Sequence, residues 1–301
     1  MSPAAAGTRV LLVTSRALPH GEPGSEALDA ALATRGIESR WVAWDDDTVD
    51  WGSAALVAVR STWDYTERAP EFLAWAASLV QVRLLNGADV FAWNHDKRYL
   101  LDLGDLPTVP TAWLTSPAQL VAAVDGLGSA VVKPAVGAGG EGLAVLRGGS
   151  LDEGEAAPYV ETGPVVVQPV VESVRTHGEV SVFVVDGRPV CQVEKRPFGE
   201  EVRVHEEYGG SSHPVPLDPA CVEVALAADD EMARRFGRRL DYLRADLLWW
   251  EERWVVSELE LIEPGLYLDV VPANADPFAD LLASVSVPGH RLHSQRSSAK
   301  H

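Results

Sequence analysis

The sequence predicts an α/β (α+β) protein in which an open, mainly parallel sheet precedes further strand pairs. Three observations carry this prediction. Apolar runs of strand length alternate with helical periods through residues 10–79, the pattern of successive βαβ units. A strand bearing one lysine leads straight into a glycine loop and a second strand over residues 131–146. Near the C-terminus, residues 242–248 and 254–262 read as strands with carboxylates at alternate positions, which places those groups on one face.

Taken in order, residues 1–7 are small and expected to fray. Residues 10–14 predict a short buried strand, 25–35 a helix with alanines and leucines at helical spacing, and 39–43 and 55–59 two more strands. Ligands of such sheets sit beyond the carboxyl ends of the strands, where Ser15-Arg16 and Arg60-Ser61-Thr62-Trp63-Asp64-Tyr65 stand. These segments offer a substrate pocket cationic, hydroxyl and aromatic groups. A packed tryptophan and tyrosine with a surface arginine is the alternative for the second. Residues 71–79 predict a helix, followed by Leu84-Leu85-Asn86. Residues 93–103 predict another, with Asn94 or Asp96 as N-cap and Leu100, Leu101 and Leu103 as its apolar face. Residues 107–111 break it, and 116–124 form a short helix leading into the strand of Lys133. Pro158 and Gly163-Pro164 bound the next loop, and the polar residues 290–301 read as a disordered tail.

Length and composition narrow the function. A chain of 301 residues accommodates two or three subdomains, and 47% hydrophobic with 23% charged residues marks an ordinary soluble protein. No apolar run reaches membrane-span length, and the first eight residues lack a secretory core. Cys191 and Cys221 form no metal-type or redox-type pair, so a reduced, cytoplasmic setting is expected. A net charge of −19 argues against nucleic acid and anionic membranes as partners. It leaves open a small anionic ligand, which needs only local positive charge, and a homo-oligomer. Lysine is scarce: of 25 basic residues only Lys97, Lys133, Lys195 and Lys300 are lysines. A lysine kept beside a glycine loop points to a need for a compact ammonium there.

The chemistry of that loop is phosphate chemistry. Glycine lets backbone N–H groups approach an anion closely, and Lys133 adds charge beside them. Gly137-x-Gly139-x-x-Gly142 does not open a helix, as a dinucleotide-binding turn should, because Leu143 to Leu146 continue as a strand and Arg147-Gly148-Gly149 as a turn. No Gly-Lys-Ser/Thr ending makes a P-loop. Farther on, Arg244 and Asp246 share one strand face and Glu258 and Glu260 another. Three carboxylates on adjacent strands repel unless a cation lies among them, and oxygen-only donors suit Mg²⁺. An exposed acidic strand face is the alternative, and the apolar Leu259, Leu261 and Ile262 weigh against it.

Strand, lysine, glycine loop and strand together resemble the phosphate-covering hairpin of the ATP-grasp ligases, and the later motifs follow in that family's order. The resemblance spans residues 94–280 and implies ATP and Mg²⁺ as cofactors. It implies phosphate contacts from Lys97, Lys133, Gly137, Gly139, Gly140 and Gly142, adenine against Gln168, Val170 and Val171, and ribose on Glu179, which is otherwise a solvated turn residue. Asp246, Glu258 and Glu260 match the metal-binding element, with Glu260 where asparagine is common. Arg244, two positions before the metal aspartate, suits an acyl phosphate. Residues 195–203, which include Arg203, resemble the loop that closes over the phosphates. The implied ATP-grasp fold has an N-terminal parallel α/β substrate domain over 1–93 and two nucleotide-binding lobes over 94–175 and 176–289. Within the family, residues 60–65, 93–100 and 258–267, the last including Glu263, are similar to cyclo-ligases that close O-ureido-D-serine into D-cycloserine. That similarity implies activation of a small amino-acid carboxylate as an acyl phosphate, with Arg203 and Arg244 stabilising the leaving phosphate. An intermolecular amino-acid ligase and a nucleotide-binding regulator without turnover are the alternatives.

Overall fold

A computed structural model of the chain describes residues 9–149 and 151–286. Its N-terminal sheet is built on β1 (Arg9–Thr14), where Val10, Leu11, Leu12 and Val13 are all buried, as a central parallel strand covered on both faces requires. Helix α1 (Ser25–Thr34) leads to β2 (Glu38–Ala43), then β3 (Leu56–Ser61), α2 (Ala69–Ser78) and β4 (Arg83–Leu84). All four strands run parallel in the order β2-β1-β3-β4. Helix α3 (Ala88–Asn94) ends sooner than the sequence suggests. One helix over 93–103 is replaced by α3 and a separate 3-10 turn at Lys97–Leu101. Asp96 restarts the chain by accepting the Arg98 N–H at 2.8 Å, while Asn94 is not a cap.

The second sheet holds β5 (Ala112–Leu114), β6 (Ser129–Pro134), β7 (Ala144–Arg147) and β8 (Val165–Pro169), antiparallel in the order β5-β8-β6-β7. Helices α4 (Pro117–Leu127) and α5 (Glu153–Glu161) cover it and give it a core of its own, with Leu120, Val124, Val132, Ala156 and Val167 at its centre. The loop expected around Pro158 is therefore corrected to a helix. A reciprocal capping box between Asp152 and Glu155 starts α5, and the buried Ala156 anchors it against the loss of one backbone bond at Pro158.

After the short α6 (Val174–His177) come β9 (Glu179–Val185), β10 (Arg188–Arg196), β11 (Ser211–Val215), α7 (Pro219–Phe236), β12 (Tyr242–Trp250), β13 (Arg253–Glu260) and α8 (Ala275–Ser286). The strands form an antiparallel sheet in the order β11-β10-β9-β12-β13. One core joins it to the N-terminal sheet: Val13 and Val59 share a cluster with Val182, Leu243 and Leu259. Strand β13 lies at the edge, and its free backbone groups are answered by the Pro107 and Val109 backbone at Val256 and by side chains farther along. Asn94 donates to the Leu259 carbonyl at 2.9 Å and accepts the Leu261 N–H at 3.0 Å. The Tyr99 hydroxyl donates to that same carbonyl at 3.1 Å and accepts the Leu259 N–H at 2.7 Å. Register along β13 is thereby fixed next to Glu258 and Glu260. Among the described residues no helix is long and apolar enough to cross a membrane. The expectations for residues 1–7 and 290–301 lie outside the described residues.

Candidate active site

A cleft of about 770 Å³ opens between the glycine loop, the faces of β9, β12 and β13, and the segment after β3. All three lysines of the described residues line it. Lys97 is drawn in from the 3-10 turn: its N–H bonds to the Ala135 carbonyl at 2.8 Å and its ammonium to the Gly137 carbonyl at 2.5 Å. Lys97 also reaches Glu258 at 3.1 Å, and Lys133 reaches the other oxygen at 3.4 Å. Burial pushes the Glu258 carboxyl up, but Lys97 and then Lys133 outweigh it and hold the group below its ordinary range. Lys195, at the end of β10, pairs with Glu179 and with Asp246 at 3.3 Å. Burial opposes its charge, yet Asp246 and Glu179 keep it more basic than a free lysine.

The loop that meets these lysines needs glycine. Gly142 has φ +69°, and a Cβ there would stand 2.8 Å from the Pro134 Cγ, so both backbone and space exclude a side chain. Gly137, Gly139 and Gly140 line the cleft. Opposite them, in the segment after β10, Arg203 pairs with Glu201 at 2.6 Å and stacks over the Tyr208 ring at 3.7 Å.

Sheet register explains the acidic wall. Asp246 is paired directly with Glu258 across β12 and β13, and Arg244 with Glu260, so their Cβ atoms are neighbours. Arg244 donates to both oxygens of Asp246, at 2.9 and 2.8 Å, and also pairs with Glu260. Ser181 donates to Asp246 at 2.5 Å. Burial would raise the Asp246 pKa, but Arg244 and Lys195 hold it well below the usual carboxylate range. Among the described residues no three acidic, histidine or cysteine side chains are gathered in a ligand arrangement, because each carboxylate has turned to a cation. The donor set nevertheless fits a hard divalent ion: oxygen donors only, on two registered strands. Burial and the charges of Asp246 and Glu258 also raise the Glu260 pKa against the pull of Arg244. The resident cations leave that wall under-neutralised.

Beyond β13 the chain crosses the cleft as irregular backbone, and six successive carbonyls each accept a side-chain donor. Asn86 serves Leu261 at 2.8 Å, Tyr242 serves Ile262 at 2.7 Å, and Trp63 serves Glu263 at 3.4 Å. Arg60 serves Pro264 at 2.6 Å, Arg244 serves Gly265 at 3.3 Å, and Asn274 serves Leu266 at 2.7 Å. Glu22 accepts the Leu266 N–H at 2.8 Å and pairs with Arg60 at 3.1 Å. This strap presents Glu263 and Tyr267 to the cleft beside Trp63 and Tyr65.

The candidates from the sequence divide by geometry. Trp63, Tyr65, Glu179, Arg203, Arg244, Asp246, Glu258, Glu260 and Glu263 line the cleft with Lys97 and Lys133. Arg60 instead lies fully buried behind it, and Ser61 bonds the Thr14 hydroxyl at 2.7 Å. Thr62 and Ser15 are buried, Arg16 pairs with Asp45 at 3.0 Å on the surface, and Asp64 pairs with Arg68 at 3.0 Å. Gln168 donates to Thr111 at 2.9 Å, while Val171 packs with Val109 and Val255; these two, Val170 and Gly142 do not line the cleft. Glu22, Lys195, His205, Tyr267 and Asp269 line it without having been singled out as site residues. Lys195 carried a usable signal in its rarity, and Tyr267 in the segment 258–267 that resembles the cyclo-ligases.

Comparison with known proteins places this geometry. The cycloserine biosynthesis protein DcsG of Streptomyces lavendulae is 31% identical over 273 residues, covering 84% of this chain and 90% of that protein. The chain belongs to the DcsG family of ATP-grasp ligases. Residues 10–86 match the family model of the D-cycloserine synthetase DcsG N-terminal domain, and residues 97–237 that of the prokaryotic glutathione synthetase ATP-grasp domain. The crystal structure of D-cycloserine synthetase DcsG superposes with a TM-score of 0.79 at 28% identity, over 93% of this chain and 100% of that one. The D-alanine–D-alanine ligase of Bacillus anthracis complexed with ATP shares the fold at a TM-score of 0.64 and 14% identity, over 94% and 97% of the two chains. As a family member the chain is an enzyme, an ATP-dependent ligase with the ATP-grasp fold.

Proposed function

We propose that this ligase closes O-ureido-D-serine into D-cycloserine at the expense of ATP, releasing ADP and phosphate. The match of residues 10–86 to the DcsG N-terminal domain supports this most directly, because that segment supplies Trp63 and Tyr65 to the cleft. Residues 1–93 would then be the substrate domain, with nucleotide-binding lobes at 94–175 and 176–289.

Lys97 and Lys133 would hold phosphate oxygens while residues 137–142 close over them, with adenine near Gln168, Val170 and Val171 and ribose on Glu179. Asp246, Glu258 and Glu260 would hold Mg²⁺, which supplies positive charge against the phosphates. Trp63, Tyr65 and Glu263 would face the amino acid, while the buried Ser15, Arg60, Ser61 and Thr62 would support that wall from behind, with Arg16 and Asp64 in ion pairs farther out. Arg244 and Arg203 would steady the substrate carboxylate as it attacks the γ-phosphate and becomes an acyl phosphate. The oxygen-linked ureido nitrogen then attacks the acyl carbon: the ring C–N bond forms, the C–O bond to phosphate breaks, and the nitrogen proton is lost. Hydrolytic release of the carbamoyl group leaves cycloserine. Tethering gives the nucleophile a high effective molarity, so no second substrate is required.

The test is to incubate the pure protein with O-ureido-D-serine, Mg²⁺ and ATP and to follow ADP and product mass. ADP with a product of cycloserine mass is expected. ADP that appears only when a second amine is added would replace ring closure by intermolecular ligation.

A further inference from the structure

Charge bookkeeping around the strap leaves one group unanswered. Glu263 is 8% exposed and lines the cleft, yet among the described residues its carboxylate accepts no hydrogen bond and has no cation within ion-pair distance. The cations that act on it from a distance are all committed elsewhere: Arg60 to Glu22, Lys97 to Glu258, and Arg244 to Asp246 and Glu260. Such isolation is costly for a buried carboxylate. Burial and the charge of Glu260 push its pKa up to about 8. The backbone on either side is pinned by side chains from both the N-terminal sheet and the C-terminal region. The backbone that carries the carboxylate is therefore held in place against the cleft. Trp63, which donates to the Glu263 carbonyl at 3.4 Å, and Tyr65 line the same cleft.

We infer that Glu263 is the receptor for the ammonium group of the amino-acid substrate, so that the enzyme selects substrates carrying a primary amine next to the carboxylate it activates. The inference rests on the proposed function for the identity of the substrate and adds which of its groups is read, and by what. With the ammonium on Glu263, the neighbouring Arg244 lies on the side where the substrate carboxylate has to be phosphorylated. One anchor at each end of the α-carbon fixes the orientation of the group between them.

The experiment is a two-by-two comparison of kcat/KM. The substrates are O-ureido-D-serine and the same acid with hydrogen in place of its amine; the enzymes are wild type and Glu263→Gln. Wild type should prefer the amine by on the order of 10–100-fold, the worth of one charge-assisted bond. Glu263→Gln should lose that preference by slowing on the amine substrate while changing little on the des-amino acid. Glu263→Asp, which keeps the charge, should restore part of it. Equal loss on both substrates would assign Glu263 to metal binding or proton transfer and overturn the inference, as would an unchanged preference. Calorimetry with ADP establishes that each variant is folded. If wild type does not turn over O-ureido-D-serine, the proposed function fails separately. The inference is then read from calorimetric binding of small D- and L-amino acids against their des-amino acids to ADP-loaded wild type and Glu263→Gln. Equal binding with and without the amine would refute it.

Discussion

Arg60→Met should destabilise the fold by about 3–5 kcal/mol, the cost of leaving one member of a buried ion pair alone. Arg60 is fully buried and its partner Glu22 has a side chain only 4% exposed, at 3.1 Å. Methionine fills most of the volume but leaves Glu22 without its cation and the Pro264 carbonyl without its donor. Glu22→Met/Arg60→Met should recover much of the loss, since an apolar pair often replaces a buried ion pair without penalty. The residue of the loss, about 1–3 kcal/mol for each orphaned backbone group, reports the bonds to Pro264 and Leu266. Burial already raises the Glu22 pKa above its ordinary 4.5, with Arg60 the strongest opposing influence. A carboxyl whose folded pKa is raised contributes stability that is complete below its unfolded pKa and lost as pH rises through the folded value. Without Arg60 that folded value climbs further, so the deficit of Arg60→Met should be larger at pH 8 than at pH 5. Chemical unfolding at the two pH values measures both effects. A single variant within about 0.5 kcal/mol of wild type, the scale of neutral surface changes, or a double variant no more stable than the single one, would refute the assignment of Arg60 as a buried clamp.

Lys133→Ala and Lys97→Ala should each weaken Mg-ATP binding by about 1.5–3 kcal/mol, the worth of a charge-assisted bond; calorimetry showing unchanged affinity in both would remove the phosphate assignment. Gly142→Ala should raise the KM for ATP while leaving the KM for the amino acid near wild type, because its φ of +69° and the 2.8 Å approach of Pro134 disturb only the glycine loop. Equal changes in the two KM values would mean the loop does not act on the nucleotide alone.

Local signals in the sequence sufficed where local physics decides. The buried run of β1 and the apolar β3 gave the parallel sheet, and scarcity of lysine singled out Lys133 before a loop in which Gly142 proves sterically required. Pro158 reads as a helix breaker in the sequence, whereas the Asp152–Glu155 capping box and the burial of Ala156 carry α5 through it in the fold. Helix α7 was missed although Asp218, Pro219 and Gly237 mark its ends. Arg60 could not be placed from sequence at all. Its partners Glu22 and Pro264 lie 38 and 204 residues away, and no local pattern distinguishes an arginine aimed at ligand from one that braces the wall behind it. The same holds for the strap, whose donors come from residues as distant as Arg60 and Trp63.

The ion pairs of the cleft acquire a common sense once the proposed substrates are considered together. Glu258 holds both Lys97 and Lys133, so the two cations proposed for phosphate and a carboxylate proposed for metal neutralise one another. An entering polyphosphate offers the lysines several charged oxygens in place of one shared carboxylate. Glu258 is then released beside Glu260, whose own charge is already under-neutralised, and the pair becomes a better cation site than either is alone. Nucleotide and metal should therefore bind with mutual reinforcement. Glu263 stands outside this exchange, since no lysine or arginine is freed toward it when Lys97 moves to phosphate. Loss of Lys97 as a distant positive charge instead raises the Glu263 pKa further.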